Sequence, residues 1–390
     1  MSQVTDLETQ MDSMQIDVNS DEVLYFFNLP NQFVDIQDKI DKTDDNQTLQ
    51  IYSYNSCTNE SSDKVKACRG LIFEKDVLVA GSLGYSNEYN EDSLLSEISD
   101  ETLSSFTIFP SEEGTLVRVY CYNDTWMIST HRKLDAFKSR WGSGESFGDI
   151  FLKYIGGDME SFTNRLQKYH VYFFLIRNTK ETRLVSNPPP TPVIYYVGAL
   201  LHNENFDMTT NDTIESFGIR RQTELHFNSV DEIQKYVREC NPLEKQGVIL
   251  FKNDGSGKNL KIVTSRYQNY SRVRNNEPDL TFRFFQLWKN RQLPIFTTFL
   301  ELYPEYNSKI ALFDSFSVKI ATYLQNMYFK KFVKKEKLVF NKDEWNILKN
   351  VHSWYWQDRE RRKVTFDVMY KMMLEDINLR SLYQLFKRLN

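Results

Sequence analysis

The residues able to do chemistry in this 390-residue chain gather around one stretch, Pro110-Ser111-Glu112-Glu113-Gly114-Thr115-Leu116-Val117-Arg118-Val119-Tyr120. Its acidic Glu112-Glu113-Gly114 turn feeds an alternating strand and has the shape of an active-site element whose nucleophile is missing. Ser111 has only a hydroxyl, which attacks well only beside a general base, and no histidine neighbours it in sequence. Leu116, Val117, Val119 and Cys121, with Arg118 and Tyr120 between them, predict a strand. Tyr122-Asn123-Asp124-Thr125 predicts a turn into a second strand, Trp126 to Thr130, so Glu-Glu-Gly lies at the mouth of a hairpin. An ordinary solvated turn has the same composition.

The surrounding elements follow in order. Residues 1–20 are polar and acidic and predict a disordered arm. Order is expected to begin at Glu22 to Phe27, and Gln50 to Tyr54 alternates as a strand. Lys66 to Glu74 with Val77 to Ala80 predicts a hairpin in which Arg69 precedes Gly70 at the entrance of an apolar strand. Residues 132–168 read as helical in pieces, His170 to Ile176 and Val193 to Leu201 as buried strands, and the proline-rich 188–192 as a stiff surface connection. Asp231 to Cys240 has helical spacing. Gly247 to Phe251 and Leu260 to Val263 flank Asn253-Asp254-Gly255-Ser256-Gly257, a strong hairpin signal. Beyond residue 270 the period is helical: Ile310, Phe313, Phe316, Ile320, Tyr323, Leu324 and Met327 recur at three- and four-residue steps, and Asn341 with Glu344 predicts an N-cap with a glutamate reaching back.

Composition narrows the classes. With 41% hydrophobic and 14% aromatic residues the chain is globular, and no apolar run approaches the ~18 residues of a membrane span. The N-terminus has neither the basic nor the apolar segment of a signal peptide, so no membrane partner is expected. Cys57, Cys68, Cys121 and Cys240 are too few for a disulfide scaffold and lack C-x-x-C spacing. The five scattered histidines give no zinc signature. From Arg266 to the C-terminus 23 Lys and Arg stand against 13 Asp and Glu, a net +10, while the remainder is −15. An acidic body and a basic tail suit a nucleic-acid partner for the tail, and equally a solvated helical face.

The order Ile51-Tyr52-Ser53-Tyr54, Cys68-Arg69-Gly70-Leu71-Ile72-Phe73-Glu74, Glu112-Glu113-Gly114-Thr115-Leu116-Val117, Gln246-Gly247-Val248 and Leu260-Lys261-Ile262, followed by helices, resembles the phage-type ATP-dependent RNA ligases of the tRNA-repair branch of the covalent nucleotidyltransferases. The resemblance covers about residues 22–270. It implies an α+β architecture: a mostly antiparallel-sheet nucleotidyltransferase domain over 21–270, after the 1–20 arm, and an all-helical basic domain over 271–390. In that family a lysine attacks the α-phosphate of ATP, AMP passes to an RNA 5′-phosphate, and a 3′-hydroxyl displaces it.

Set against that pattern, this chain departs from it at four places. The Lys-x-Asp-Gly motif reads Ser111-Glu112-Glu113-Gly114, with Ser111 in the nucleophile's place. The third motif's acid falls at Phe174, and no Asp or Glu occurs between Ser161 and Lys180. The fourth motif reads Gln246-Gly247-Val248, a neutral amide where a carboxylate would serve a metal. The fifth reads Lys261-Ile262-Val263, with Val263 in place of a second lysine. Arg69, Glu113, Gly114, Arg183 and Lys261 remain as RNA- or nucleotide-binding residues. The resemblance therefore implies a pseudoenzyme that needs no cofactor, with ATP and magnesium implied only if ligase chemistry is retained.

Lys252-Asn253-Asp254-Gly255 matches Lys-x-Asp-Gly literally, so an active ligase with Lys252 as relocated nucleophile is one alternative, though its hairpin context disfavours it. A structural subunit with a protein partner is another. Lys133 falls where the family has a basic segment near RNA, and an exposed helix start explains it equally. In the tail, Lys334-Lys335-Glu336-Lys337 and Arg359-Glu360-Arg361-Arg362-Lys363 with Trp354, Tyr355 and Trp356 suit RNA, or else aromatic core with solvated charge. An intracellular location is expected, with viral origin and virion association as further expectations.

Overall fold

Strands β1 (Ile40–Asp45), β2 (Gln50–Tyr54), β3 (Arg69–Glu74) and β4 (Val77–Ala80) form an antiparallel meander in sequence order. The computed structural model describes residues 30–389 except 94–96, 143, 178, 291–292 and 376–377. The expected arm over 1–20 and the start of order at Glu22 to Phe27 lie outside the described residues. A second sheet runs β5 (Asn87–Asn90), β13 (Asn259–Val263), β12 (Gly247–Lys252), β6 (Phe106–Ser111), with only β5–β13 parallel. A third, fully antiparallel, runs β11 (Asn205–Asp207), β10 (Ile194–Leu201), β9 (His170–Arg177), β7 (Gly114–Tyr122), β8 (Thr125–Thr130). The chain divides after Tyr267 into two compact units. The first is α+β; the described part of the second is helical.

Alternation along β7 and β9 decides what each face buries. Val117, Val119, Tyr172, Phe174 and Ile176 share one core with the helices Phe147–Tyr154 and Met159–Thr163. Phe174 meets Phe151 with ring centroids 5.1 Å apart. Their neighbours Leu116, Tyr120, Val171 and Phe173 belong instead to a core shared with Ile51, Ile72, Phe109 and Phe251 from the other two sheets. Each aromatic buried this way contributes about 1.5–3 kcal/mol. Arg118, on the second face, is buried, and its guanidinium donates to Ser129 Oγ, Gly81 O and Thr130 O. Burial pushes its pKa down to about 10, so it remains a cation that pins β7 to the end of β4.

In the helical unit Phe284, Phe285, Phe313 and Phe386 pack together, the closest pair at 4.4 Å between centroids. The N-cap expected at Asn341 is present as a reciprocal box: Asn341 Oδ1 accepts from Glu344 N–H at 2.8 Å and Glu344 Oε2 from Asn341 N–H at 3.1 Å. It starts the helix Lys342–Gln357, which packs beside the helix Lys309–Tyr328. No described helix is long and apolar enough to cross a membrane.

Two predictions follow from this architecture. Gly247 has φ +153°, and an added Cβ would lie 2.0 Å from the Ile262 carbonyl oxygen on β13. Gly247→Ala should therefore lower the stability of the first unit by at least about 1–3 kcal/mol in chemical denaturation. In the second unit the Trp356 indole, a donor only, gives its N–H to His352 Nε2 at 2.7 Å, and Tyr328 Oη lies 3.1 Å from Nδ1. Nε2 must then be unprotonated, and burial likewise lowers the pKa of His352. Below about pH 6.5 the unfolded chain takes a proton that the folded one refuses, so stability falls as pH drops through that range. Unfolding followed by tryptophan fluorescence at pH 7.5 and 5.5 should show the loss, and His352→Gln should reduce the difference.

Candidate functional site

Glu112 and Glu113 are the whole connection between β6 and β7, which lie in different sheets. The acidic turn is thus a crossing point between sheets as well as the entrance to the β7–β8 hairpin. It turns Glu113 inward, where it is 1% exposed. Its Oε1 accepts from the Val185 N–H at 2.8 Å and from the Tyr267 hydroxyl at 2.7 Å. Tyr267 opens the helix Ser265–Arg274, held there by its N–H to Thr264 Oγ1. Burial and Glu113 together raise its pKa far above the ordinary range, so the phenol stays a donor. Its oxygen receives an N–H from Gln246 Nε2 at 2.6 Å, and Gln246 Oε1 in turn accepts from Ser111 Oγ–H at 3.0 Å. The sense of every bond is fixed from one end: the carboxylate only accepts, so Tyr267 must donate and Gln246 must turn its amide nitrogen to Tyr267.

The backbone makes this relay possible. Gly247 pairs with Ser111 across β12–β6 and with Val263 across β12–β13. Gln246, just before it, therefore lies beside the end of β6, with its N–H on the Ser111 carbonyl at 2.9 Å. Gly114 is required for the close pairing of β7 with β9, since a Cβ there would sit 2.3 Å from the Ile176 carbonyl. Lys261 lies opposite Glu88 in the parallel β13–β5 pair, with Nζ 3.9 Å from Glu88 Oε2. Burial lowers its pKa, Glu88 and Glu113 raise it, and Arg69 lowers it, which places these four charges in one neighbourhood. The Arg69 guanidinium donates to Gly84 O at 3.4 Å. Gly84 also lines a cavity of about 360 Å³ walled by Ser82, Tyr85, Asn87, Lys252 and Leu260.

Ser111, Glu113, Gly114, Gln246, Lys261 and Arg69 are accordingly brought together. Arg183 stands at the edge, half-buried, its Nε donating at 3.3 Å to the carbonyl of Val185, the residue whose N–H serves Glu113. Val263 is fully buried on β13 beside Gly247. Phe174 is not brought in: it points into the helix-covered core, on the face of β9 away from the other two sheets. Lys252 lies at the tip of the β12–β13 hairpin, exposed and paired with Asp254 at 2.9 Å. Lys133 is paired with Asp44 at 3.4 Å.

Three participants were not singled out from sequence. Tyr267 and Glu88 come from a helix start and a four-residue strand without any pattern of their own. Arg177 ends the apolar strand β9 and pairs with Glu112; a lone arginine closing an apolar run was its one signal.

The donor set can be tested against adenylyl transfer with a divalent metal. At the position that the resemblance gives to the nucleophile, Ser111 has a hydroxyl whose proton points at an amide oxygen, not at a base. The position that the resemblance gives to the fourth-motif acid is a neutral amide already bonded on both sides. These residues do not fit a magnesium or manganese centre, which needs clustered carboxylate oxygens.

No family model matches the chain. It is 30% identical over 341 residues to a protein named immediate-early protein ICP-46 homolog of Invertebrate iridescent virus 6, covering 79% of this chain and 74% of that protein. It is 27% identical over 261 residues to the ICP-46 homolog of Invertebrate iridescent virus 3, covering 64% and 56%. A protein of Autographa californica nuclear polyhedrosis virus named as a bifunctional polynucleotide kinase/RNA ligase is 23% identical over 243 residues, 58% of this chain and 34% of that one. Among solved structures, an archaeal ATP-dependent RNA ligase aligns over 73% of this chain and 72% of its own at 10% identity and a TM-score of 0.39.

Tyr267, like Gln246, both gives and receives a side-chain bond to a buried partner, and it is the member bonded to the carboxylate. Tyr267→Phe leaves a Gln246 N–H and a Glu113 oxygen short of a bond while keeping the ring. The expected cost is about 1–3 kcal/mol in urea unfolding, with little change in far-ultraviolet circular dichroism.

Proposed function

The chain belongs to the family of the iridescent-virus ICP-46 immediate-early proteins, and with that membership as premise we propose that it is an RNA-ligase-like protein that has lost adenylyl transfer and acts by holding RNA or a nucleotide. The observation that carries the proposal is the hydrogen bond from Ser111 to Gln246. The places of the ligase motifs' nucleophile and carboxylate face one another, as the resemblance requires, yet they hold a hydroxyl and an amide that satisfy each other. An amine is needed to form a phosphoramidate with AMP, and Ser111 has none. The weak likeness to a viral protein named as a kinase/ligase points the same way for ancestry.

What such a site retains is charge for a phosphate. Arg69 and Lys261 supply it, Gly114 keeps the backbone close, and Glu113 fixes the segment that carries Arg183. Lys252, the literal match to the nucleophile motif, ends β12, is engaged with Asp254 and walls the cavity that Gly84 also lines, so the labelling experiment is read at Lys252 as well.

Incubation with α-labelled ATP and magnesium or manganese, followed by denaturing electrophoresis beside an active ligase, is expected to give no labelled band. Native filter retention of the same nucleotide should fall about tenfold in an Arg69→Ala, Lys261→Ala double variant, the scale of losing one charged hydrogen bond. A covalent band mapping to Lys252 or Lys261 would overturn the proposal.

A further inference from the structure

In the helical unit, the helix Lys309–Tyr328 does not simply stop. Its last turn widens into a π-helical segment, Phe329–Val333, closed by the Lys334 N–H on the Phe329 carbonyl at 2.8 Å. A π turn rotates the following side chains by about one residue's step, and such turns recur at functional sites. Here it accompanies an open groove of about 670 Å³ between this segment and the helix Lys342–Gln357. Tyr328, Phe329, Phe332, His352, Tyr355 and Trp356 line it. Phe332 stacks on His352 with centroids 3.8 Å apart and planes 16° from parallel, which fixes the floor. Phe329 and Trp356 are 39% and 53% exposed, so their ring faces are wet.

Aromatic surface of this extent is normally buried, and leaving it open costs free energy unless something covers it. The surroundings say what kind of molecule that is. Residues 325–366 carry eleven Lys and Arg against five Asp and Glu. Cations also stand over ring faces: Arg359 over Trp356 at 5.3 Å, Arg362 over Trp354 at 4.9 Å and Lys331 over Trp345 at 5.9 Å. Flat apolar faces ringed by positive charge match a ligand with flat faces and regularly spaced negative charge.

We infer that this groove binds single-stranded nucleic acid, stacking unpaired bases on Phe329 and Trp356 while the lysines of 330–337 and the basic run 359–363 follow the phosphates. The inference deepens the proposed function by naming the form of the ligand, and it stands on the helical unit alone, so labelling with ATP and binding here can fail separately. A duplex hides its base faces and offers only phosphates, so it would use half of the surface.

The test uses the full chain and fluorescein-labelled 12-nucleotide oligouridylate, oligothymidylate and a 12-base-pair duplex, titrated by fluorescence anisotropy at 50 and 200 mM salt. Both single strands should bind at least about tenfold tighter than the duplex. A preference for the RNA strand, or equal binding of the two, both support the inference, the first adding the 2′-hydroxyl to what is recognised. Trp356→Ala and Phe329→Ala should each weaken single-strand binding by about fivefold or more. Lys330→Ala with Lys331→Ala should flatten the salt dependence by about 0.7 in slope for each phosphate contact removed. Because both rings are exposed, circular dichroism should remain that of the parent protein. Wild-type affinity in both aromatic variants would overturn the inference, as would a duplex bound as tightly as the single strands, or polyglutamate competing as well as unlabelled oligouridylate, which would make the partner an acidic protein.

Discussion

A buried carboxylate has to be satisfied where two sheets cross, and much of the first unit is arranged to do so. Glu113 is half of a two-residue link, so its place is set by the ends of β6 and β7 and cannot relax by loop movement. Leaving a carboxylate unpaired in such a place would cost several kcal/mol. It is answered by an amide from Val185, a phenol from Tyr267 and, through Gln246, the hydroxyl of Ser111. That chain of bonds joins β6, the residue ahead of β12, a helix start and the 179–186 segment. A network in which each of these donors and acceptors has found its partner is stiff.

How much of this was legible in the sequence depended on how local its cause was. The β12–β13 hairpin, the β7–β8 hairpin and the Asn341–Glu344 cap were readable because turn chemistry and capping act within a few residues. The helix Lys309–Tyr328 was readable from its period. The association of Ser111 with Gln246 came from a resemblance, since 135 residues separate them and no local rule links them. Tyr267 and Glu88 were not readable, because one meets its partner Glu113 across 154 residues of sequence and the other owes its place to a parallel strand neighbour. Phe174 shows the limit of counting along a strand: side chains alternate faces, so an error of one residue moves a position from site to core.

The two units manage polar and apolar groups in opposite ways. In the first, polar side chains are buried and matched, as with Glu113 or with Arg118 and its three acceptors. In the second, aromatic rings stand open beside cations, and His352 is kept neutral by the indole it receives. The first arrangement yields stability, whereas the second leaves aromatic surface in contact with water. Net charge divides in the same sense, −15 before Arg266 and +10 from it onward.

The residues at the crossing are also coupled by electrostatics. Ser111 and Gln246 are 3% and 5% exposed and touch. A lysine at 111 beside a neutral amide would bury an ammonium with no opposite charge in contact, and a glutamate at 246 beside a serine would set a second carboxylate near Glu113. Each single change carries the desolvation penalty of an unpaired charge, whereas the charged pair or the neutral pair is self-consistent. The serine–glutamine pair is the neutral solution to this geometric constraint, and its hydrogen bond ties β6 to the residue ahead of β12.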